Sequence, residues 1–212
     1  DAGNRLWVIY TDSEFKSPKA MSPYPNIKRH LDRFAKAITS DNAPYGLHRA
    51  RDEKFFTGEK IISLRKCDRP TFTFTDFDCY VSQTFNIIKT GRLNQKFLTG
   101  LLNSSAVAFW LRHRGKLQGQ LFQVDKEPLL RVPLVAPSSQ HTTIIGSLVA
   151  GIIQVLGVGK TGLVPRYEQL INGLVFELFF PDELHAANIR LFDACEQAGV
   201  GKLANLKDKA LV

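Results

Sequence analysis

The stretch that organises the rest of the chain runs from residue 47 to residue 66 and reads LHRARDEKFFTGEKIISLRK. Its first half is a basic segment around an aromatic pair, and Gly58 marks a turn. Its second half, from Lys60 to Arg65, is rich in β-branched residues and predicts a strand followed by two cations. Cations held on such a loop and strand can bind phosphates or the edges of bases. The alternative interpretation is a solvated charged loop that two phenylalanines anchor to a core.

Several other segments predict strands of the same sheet. Residues 71–75 (TFTFT) alternate polar and apolar side chains, and residues 79–88 are rich in aromatic and β-branched residues. Short polar turns join these segments to the strand at residue 60, so we expect neighbouring antiparallel strands. Residues 121–124 and 129–134 predict two more strands that close the sheet. The aromatic alternation is typical of a buried sheet face, and a platform for stacking bases is the alternative.

The segment before the central stretch predicts a strand, a connector and a helix. Residues 6–10 (LWVIY) are an apolar strand, and prolines between residues 18 and 25 mark a connector. Asn26 suits the N-cap of an amphipathic helix. The apolar positions of this helix are Ile27, Leu31, Phe34, Ala35 and Ile38. The remaining surface carries the basic residues Lys28, Arg29, Arg33 and Lys36.

Residues 93–114 predict two helices with a break at residues 103–105. The second helix ends in a cationic turn that complements the helix dipole, and Gly115 is a suitable C-cap. The loop that follows, KLQGQ at residues 116–120, combines glycine with Lys and Gln side chains that can reach phosphates and adenine edges. From the residues alone, a helix-end role and a role in binding nucleic acid both remain open for these cations.

The last third of the chain predicts only helices. They cover residues 143–156, 165–180 and 181–198, and Gly199 ends the third. The chain as a whole is therefore predicted to be α+β, with an antiparallel or mixed sheet and flanking helices followed by a small helical bundle. We divide it into a sheet-containing domain at residues 1–135 and a C-terminal helical packing subdomain at residues 136–212.

The net charge of +8 on 212 residues is distributed unevenly. Residues 1–135 contain 22 Lys and Arg against 13 Asp and Glu, whereas residues 136–212 contain 6 against 7. A positive field of this kind attracts a polyanion or an acidic protein surface, and the attraction weakens with salt. Charge alone does not distinguish DNA from RNA, membrane or acidic protein.

The composition indicates a folded cytoplasmic protein. Cys67, Cys79 and Cys195 are an odd number without metal-ligand spacing, which fits reduced thiols. We find no apolar run long enough to span a bilayer. The first residues, DAGNR, show no secretory pattern and no initiator methionine, so we expect a fragment or a processed product of a larger polypeptide.

Three patterns resemble catalytic or ligand-binding motifs, and each lacks an essential part. GVGKT at residues 157–161 ends like a phosphate-binding loop, but Gln154 stands where that loop needs glycine. Asp52 and Lys54 have the acid-x-lysine form of some nucleases without a convincing second acid. The five histidines are scattered and make no zinc pattern. We therefore predict no catalytic residue, no metal site and no cofactor in this chain.

The order of several segments resembles the C-terminal specificity domain of TaqI-type DNA adenine methyltransferases and of combined restriction-modification enzymes. The segments are residues 26–34, residues 47–51 with Phe55 and residues 60–62, residues 101–104 with Trp110-Leu111 and Gly115-Lys116, and residues 130–134. The helical tail at residues 170–188 is similar to the tail that follows this domain in the larger enzymes. The resemblance covers roughly residues 24–192.

This resemblance implies a sequence-specific reader of double-stranded DNA, with residues 1–135 as its target-recognition domain. In the family, a separate N-terminal methyltransferase domain of the same polypeptide binds S-adenosylmethionine and carries an Asn-Pro-Pro-Tyr-like motif for the flipped adenine, which this chain lacks. The candidate DNA-binding residues are Arg49, Arg51, Lys54, Lys60, Arg65, Lys66, Arg112, Arg114, Lys116, Gln118 and Gln120. The alternative function is a protein-interaction module that docks onto the rest of a larger enzyme.

Overall fold

We describe the chain from a computed structural model. The structure describes residues 7–37 and 41–205, which belong to two compact units, Asp1–Phe55 and Phe56–Val212. The first unit contains helical turns and loops. Its elements are 3-10 helices at Ser13–Lys16, Pro18–Met21 and Glu53–Phe55, and helix α1 at Pro25–Asp32.

The prediction of an N-terminal strand at residues 6–10 was wrong for residues 7–10. Residues 7–10 have no regular secondary structure, and Leu6 lies outside the described residues. Trp7 is 96% exposed, so the apolar character of this segment does not reflect burial in a core. A β-strand is stabilised by pairing with a neighbour, and residues 7–10 pair with no described strand.

Helix α1 lies where the first part of the predicted helix was expected, but it ends at Asp32, and the predicted apolar positions Phe34 and Ala35 lie in the turns that follow. Its packing was also predicted wrongly. It begins at Pro25 rather than after an Asn26 cap, and Asn26 instead accepts a hydrogen bond from Arg29. None of its residues is buried, and Ile38 lies outside the described part of the chain. Polar contacts hold it, because Asp32 pairs with Lys28 at 2.7 Å and accepts the Tyr45 hydroxyl at 2.6 Å.

The second unit contains two three-stranded antiparallel sheets and, in its described residues, seven α-helices and two 3-10 helices, at Thr161–Leu163 and Val200–Asn205. The strands are β1 at Lys60–Leu64, β2 at Lys66–Cys67, β3 at Phe72–Thr75, β4 at Phe85–Ile88, β5 at Lys116–Gln118 and β6 at Leu121–Gln123. The helices are α2 at Gln95–Leu102, α3 at Ser105–Arg114, α4 at Lys126–Leu130, α5 at Ser139–Gly157, α6 at Val164–Phe179, α7 at Pro181–Ala186 and α8 at Leu191–Gln197. The predicted α+β fold is confirmed.

The strand order is β3-β1-β4 in the first sheet and β2-β6-β5 in the second. The antiparallel pairing of the strands predicted around residues 60, 71 and 79 is therefore confirmed, although the third is shorter than predicted. The strand predicted at residues 121–124 is present as β6, but it belongs to the second sheet and does not close the first. The predicted strand at residues 129–134 was wrong. Its beginning belongs to α4, where the Pro128 carbonyl accepts the Trp110 indole N–H at 3.3 Å, and its end has no regular structure.

The predicted break between two helices at residues 103–105 is confirmed. Ser104 is the N-cap of α3, and its hydroxyl accepts the backbone N–H of Val107. The helix predicted at residues 181–198 is divided into α7 and α8. Asn188 has a φ of 59° between them, a left-handed conformation that ends a helix.

One hydrophobic core joins the first sheet to the C-terminal helices. Phe97 and Leu101 of α2 are fully buried in it together with Ile145 of α5 and Leu174 of α6. Gly100 permits this close packing, because a Cβ atom there would lie 2.6 Å from a methyl group of Ile145. The division into residues 1–135 and residues 136–212 stays a prediction. Side chains from both sides of residue 135 pack in the same core.

Helix α5 is the one described helix that is long and apolar enough, by length and composition, to cross a membrane. We expected no apolar segment long enough to span a bilayer, and α5 corrects that expectation. Seven of its residues are buried, and it packs against α2, α6 and α8. The helix therefore contributes to the core of the second unit, and one such helix is weak evidence for a membrane span.

Candidate nucleic-acid interface

Three strands of the second sheet carry a row of polar side chains. Lys66 on β2 is paired with Gln123 on β6, and Gln123 is paired with Lys116 on β5. Cross-strand partners project to the same face of a sheet, and Gln118 follows Lys116 by two residues on that face. Both lysines and Gln118 are exposed. We call Lys66, Lys116, Gln118 and Gln123 the polar face.

The opposite side of this sheet explains why the polar face points outward. Cys67, Phe122 and Leu117 form the next cross-strand row, and Cys67 and Phe122 are buried in the hydrophobic core. Burial also raises the pKa of the Cys67 thiol. Because successive side chains of a strand alternate between faces, burial of Cys67 and Phe122 directs their polar neighbours toward solvent.

One carboxylate lies beside the polar face, and its charge is partly compensated. Asp125 accepts a hydrogen bond from the Gln123 amide at 2.9 Å and forms an ion pair with Arg65 at 3.3 Å. The Arg65 side chain is half-exposed. Part of the charge of Arg65 is therefore compensated by Asp125.

The predicted loop at residues 116–120 is a β-hairpin instead. Gln118 pairs with Leu121, which leaves Gly119 and Gln120 as a two-residue turn between β5 and β6. Gly119 has a φ of 62°, and glycine adopts this left-handed conformation without strain. The turn places the exposed Gln120 side chain at the tip of the hairpin.

Arg112 and Arg114 occupy the last turn of α3, next to Gly115, whose N–H caps the helix at the Leu111 carbonyl. The guanidinium group of Arg112 lies over the Phe122 ring, and that of Arg114 lies over the Trp110 ring. Phe122 projects to the side opposite Gln123, so the Arg112 contact is not on the polar face. The predicted helix-end position of both cations is confirmed.

Lys60 does not have the surface position that was predicted. Its side chain is fully buried, and its ammonium group donates hydrogen bonds to the carbonyls of Gly58 and Phe77. A cation that is enclosed and hydrogen-bonded in this way cannot reach a phosphate without unfolding its surroundings. Lys60 therefore stabilises the loops before β1 and after β3, and we omit it from the interface.

The first unit brings together Arg49 and Arg51. Both line a cavity of about 600 Å³, which also contains His48 and the acidic residues Asp12, Asp52 and Glu53. Lys54 pairs with Asp52 at 2.5 Å, and this contact lowers the pKa of the Asp52 carboxyl group below its ordinary value. The cavity thus contains both signs of charge, and the Lys54 ammonium group lies against a carboxylate.

Gln123 was not identified from the sequence. The alternation of residues 121–124 places Gln123 and Phe122 on opposite faces, but the sequence does not reveal that Gln123 lies between two lysines. That position depends on the register of three strands. In the described parts of the chain, no group of three or more His, Cys, Asp or Glu side chains could hold a metal ion.

A family model described as the TaqI-like C-terminal specificity domain matches residues 18–134, more than half of the chain. The chain belongs to this family. The matched range of the TaqI-like domain runs from before α1 to after α4 and contains the polar face, whereas α5 to α8 follow it. The match indicates a DNA-recognition module of restriction-modification enzymes. A comparison with curated proteins gives no significant match.

Proposed function

We propose that this chain recognises a specific sequence in double-stranded DNA for an adenine-specific DNA methyltransferase or a combined restriction-modification enzyme. The family match to a specificity domain carries the proposal. The chemistry would belong to an N-terminal methyltransferase domain of the same polypeptide, which would bind S-adenosylmethionine and hold the flipped adenine. The chain itself would supply contacts to the duplex and no catalytic group.

The polar face supports a duplex contact because Lys66, Lys116 and Gln118 are exposed on one face of a sheet. Lys66 and Lys116 are on the outer strands with Gln123 between them, so two ammonium groups are available on one flat surface. Lysine binds phosphate as a point charge, and such contacts orient a protein on DNA without reading its sequence. We assign Lys66 and Lys116 to phosphates.

Sequence would be read by the tip of the hairpin. Gln118 and Gln120 are exposed amides beside the turn, and a glutamine amide can form two hydrogen bonds with an adenine edge. Arg65 and Arg114 would add positive charge near the hairpin, and Arg112 would do so from the side of Phe122. Arg49 and Arg51, with Lys54 nearby, would form a second contact region in the first unit.

We keep the proposed division of roles at residue 135. The residues up to 135 contain all the candidate DNA contacts and the positive excess, and the residues after 135 contribute core packing through α5 and α6. The three cysteines are free thiols. Free thiols are typical of a reducing compartment, so we propose that the protein is cytoplasmic.

The test uses the full chain and a duplex selected from a random pool, with binding measured by fluorescence anisotropy over a range of salt concentrations. We expect Lys66→Ala and Lys116→Ala each to weaken binding to all duplexes and to reduce the salt slope by about one. Gln118→Ala should instead change sequence preference. Lys160→Ala, which changes an exposed lysine between α5 and α6, is the matched control.

Unchanged DNA affinity at low salt in both Arg49→Ala and Lys116→Ala would contradict this assignment of residues. If selection from the random pool enriches no sequence, the proposal that the chain recognises a specific DNA sequence is contradicted. A purely electrostatic binder does not discriminate among duplexes. The two results are distinguishable, since the first tests particular contact residues and the second tests whether the protein binds any DNA sequence specifically.

A second candidate function is docking to the methyltransferase domain. An apolar groove of about 420 Å³ lies between α3 and α6, and Phe109, Phe176 and Phe180 are each more than 40% exposed along it. Exposed aromatic patches of this kind mark protein interaction sites. We infer that this groove would contact the N-terminal domain.

Removing residues 136–212 would not test the docking function cleanly, because α5 and α6 share a core with α2. The better variant is Phe176→Asp on the exposed wall of the groove, with Glu168→Asp as a control elsewhere on α6. Loss of co-elution with the separately produced N-terminal domain would support docking. Co-elution that survives Phe176→Asp would exclude the groove as the contact.

A further inference from the structure

The hairpin formed by β5 and β6 carries an exposed leucine on the same side as the polar face. Leu121 pairs with Gln118 and lies two residues before Gln123 on β6, so all three side chains project to one side of the sheet. Leu121 is 42% exposed. On the other side of the hairpin Leu117 pairs with Phe122 and is exposed to a similar extent, 45%. The polar face therefore has an apolar contact group beside its amides.

The side-chain amide of Gln123 is held in one orientation. A carboxylate only accepts hydrogen bonds, so the Gln123 nitrogen rather than its oxygen faces Asp125, at 2.9 Å. Asp125 is held in turn by its ion pair with Arg65. The second amide hydrogen and the Oε1 oxygen of Gln123 have no hydrogen-bond partner among the described residues. One donor and one acceptor remain, and an adenine edge matches this pair with its N7 and N6 atoms.

The dimensions of the hairpin fit the major groove of B-form DNA. Strand β2 pairs with Phe122 and Gln123, and the hairpin continues past it as a two-stranded ribbon. The major groove is about 12 Å wide and admits such a ribbon. Lys66 and Lys116 are two strand spacings apart, roughly 10 Å, with Gln123 between them. When these two cations contact the phosphates on either side of the groove, the Gln123 amide faces the base edges.

We propose that Gln123 reads an adenine in the major groove and that Leu121 contacts the methyl group of a thymine within about two base pairs of it. The inference rests on the proposed DNA-recognition function and names the base-edge contacts of its polar face. Two strand residues on one face are about 7 Å apart, the length of about two base-pair steps. Among the bases of DNA, thymine presents a methyl group in this groove, and aliphatic side chains recognise it by apolar contact. Asp125 is a positioning residue, because it acts through Gln123.

The experiment uses the full chain and the duplex that selection from a random pool enriches, with binding measured by fluorescence anisotropy. Each adenine of the site is replaced in turn by 7-deaza-adenine, which lacks the N7 acceptor. At one adenine this replacement should weaken binding of the unaltered chain about tenfold and should have no effect on Gln123→Ala.

Each thymine of the site is replaced in turn by uracil, which lacks the methyl group. At one thymine near that adenine, uracil should weaken binding of the unaltered chain about fourfold and should have no effect on Leu121→Ala. Leu117→Ala is the matched control, since Leu117 is similarly exposed on the opposite side of the hairpin. It should keep the full sensitivity to uracil. Circular dichroism would verify that each variant is folded.

Asp125→Ala separates the positioning of Gln123 from the effect of charge. Loss of the carboxylate removes a repulsion of phosphates, so binding to unrelated duplexes should tighten. The penalty for 7-deaza-adenine should shrink at the same time, because the Gln123 amide is no longer held. Asp125→Asn keeps an oxygen that accepts the amide and should retain most of the penalty. An unchanged penalty in Asp125→Ala overturns the positioning role.

The proposal is overturned if Gln123→Ala keeps the sensitivity to 7-deaza-adenine or if Leu121→Ala keeps the sensitivity to uracil. It is also overturned by an enriched site at which neither replacement weakens binding of the unaltered chain. In these cases the proposed function stands, since a sequence was still selected. A pool that enriches no sequence overturns the proposed function, and the assignment of Gln123 and Leu121 falls with it.

Discussion

The carboxylate of Glu177 accepts the backbone N–H of Leu191 at 2.6 Å, across 14 residues of sequence. The same oxygen accepts the N–H of Phe192, and the other oxygen contacts the His185 ring at 2.9 Å. Helix α8 begins at Leu191, and the residue before it provides no side-chain cap. Glu177 of α6 therefore caps α8 from a distance and fixes the last helix against the core.

We expect Glu177→Ala to destabilise the chain by about 2–4 kcal/mol, because one buried and one partly buried N–H group lose their acceptor. Glu177→Gln keeps an oxygen at this position and should cost about 1 kcal/mol. Urea denaturation at neutral pH measures both effects. Glu183→Ala, at an exposed position on α7, should change stability by less than about 0.5 kcal/mol. Equal effects of Glu177→Ala and Glu183→Ala would show that the distant cap contributes nothing.

His141 makes stability depend on pH. Burial lowers the pKa of this histidine below its ordinary value of 6.5, and its ring nitrogen accepts the Ser138 N–H at the start of α5. The unfolded chain binds the proton more readily than the folded chain, so stability should fall as the pH drops below about 6.5. His141→Gln retains an acceptor without the titration. Its free energy of unfolding should depend less on pH between 7 and 5, as thermal melts at several pH values would reveal.

Lys60 provides a test that separates folding from DNA binding. Lys60→Met removes the donor from the Gly58 and Phe77 carbonyls, so we expect a loss of about 1–3 kcal/mol in unfolding free energy. The salt slope of DNA binding should stay the same, because the buried ammonium group contacts no phosphate. Lys66→Ala should instead reduce the salt slope and leave the free energy of unfolding nearly unchanged. A reduced salt slope in folded Lys60→Met would restore Lys60 to the interface.

The hairpin turn requires the left-handed conformation of Gly119. A Cβ atom at this position would meet no neighbour, so the cost of Gly119→Ala comes from the backbone alone and should be about 1 kcal/mol. Asparagine tolerates the same conformation better, so Gly119→Asn should cost less. Gly91→Ala, at a site with equal space and no positive φ, is the matched control. Urea denaturation of the three variants would rank them.

Local patterns predicted much of the fold. The alternation at residues 71–75 and the β-branched run after Lys60 predicted β3 and β1, since a strand's period of two is visible in a few residues. The break at residues 103–105 and the C-cap at Gly115 were also predicted, because helix ends have local hydrogen-bonding requirements. The leucine-rich segment at residues 129–134 was misread, because its apolar residues fit either a strand or a short helix.

The sequence by itself determined the α+β class, the positive excess before residue 136 and the identity of most candidate DNA contacts. Only the tertiary structure decided which of them share a surface. Lys66 and Lys116 lie on either side of Gln123 because the register of β2, β6 and β5 pairs residues that are distant in sequence. Lys60 is enclosed because a loop that follows β3 closes over it. Register and enclosure depend on contacts between distant segments, and neither leaves a periodic signal in the chain.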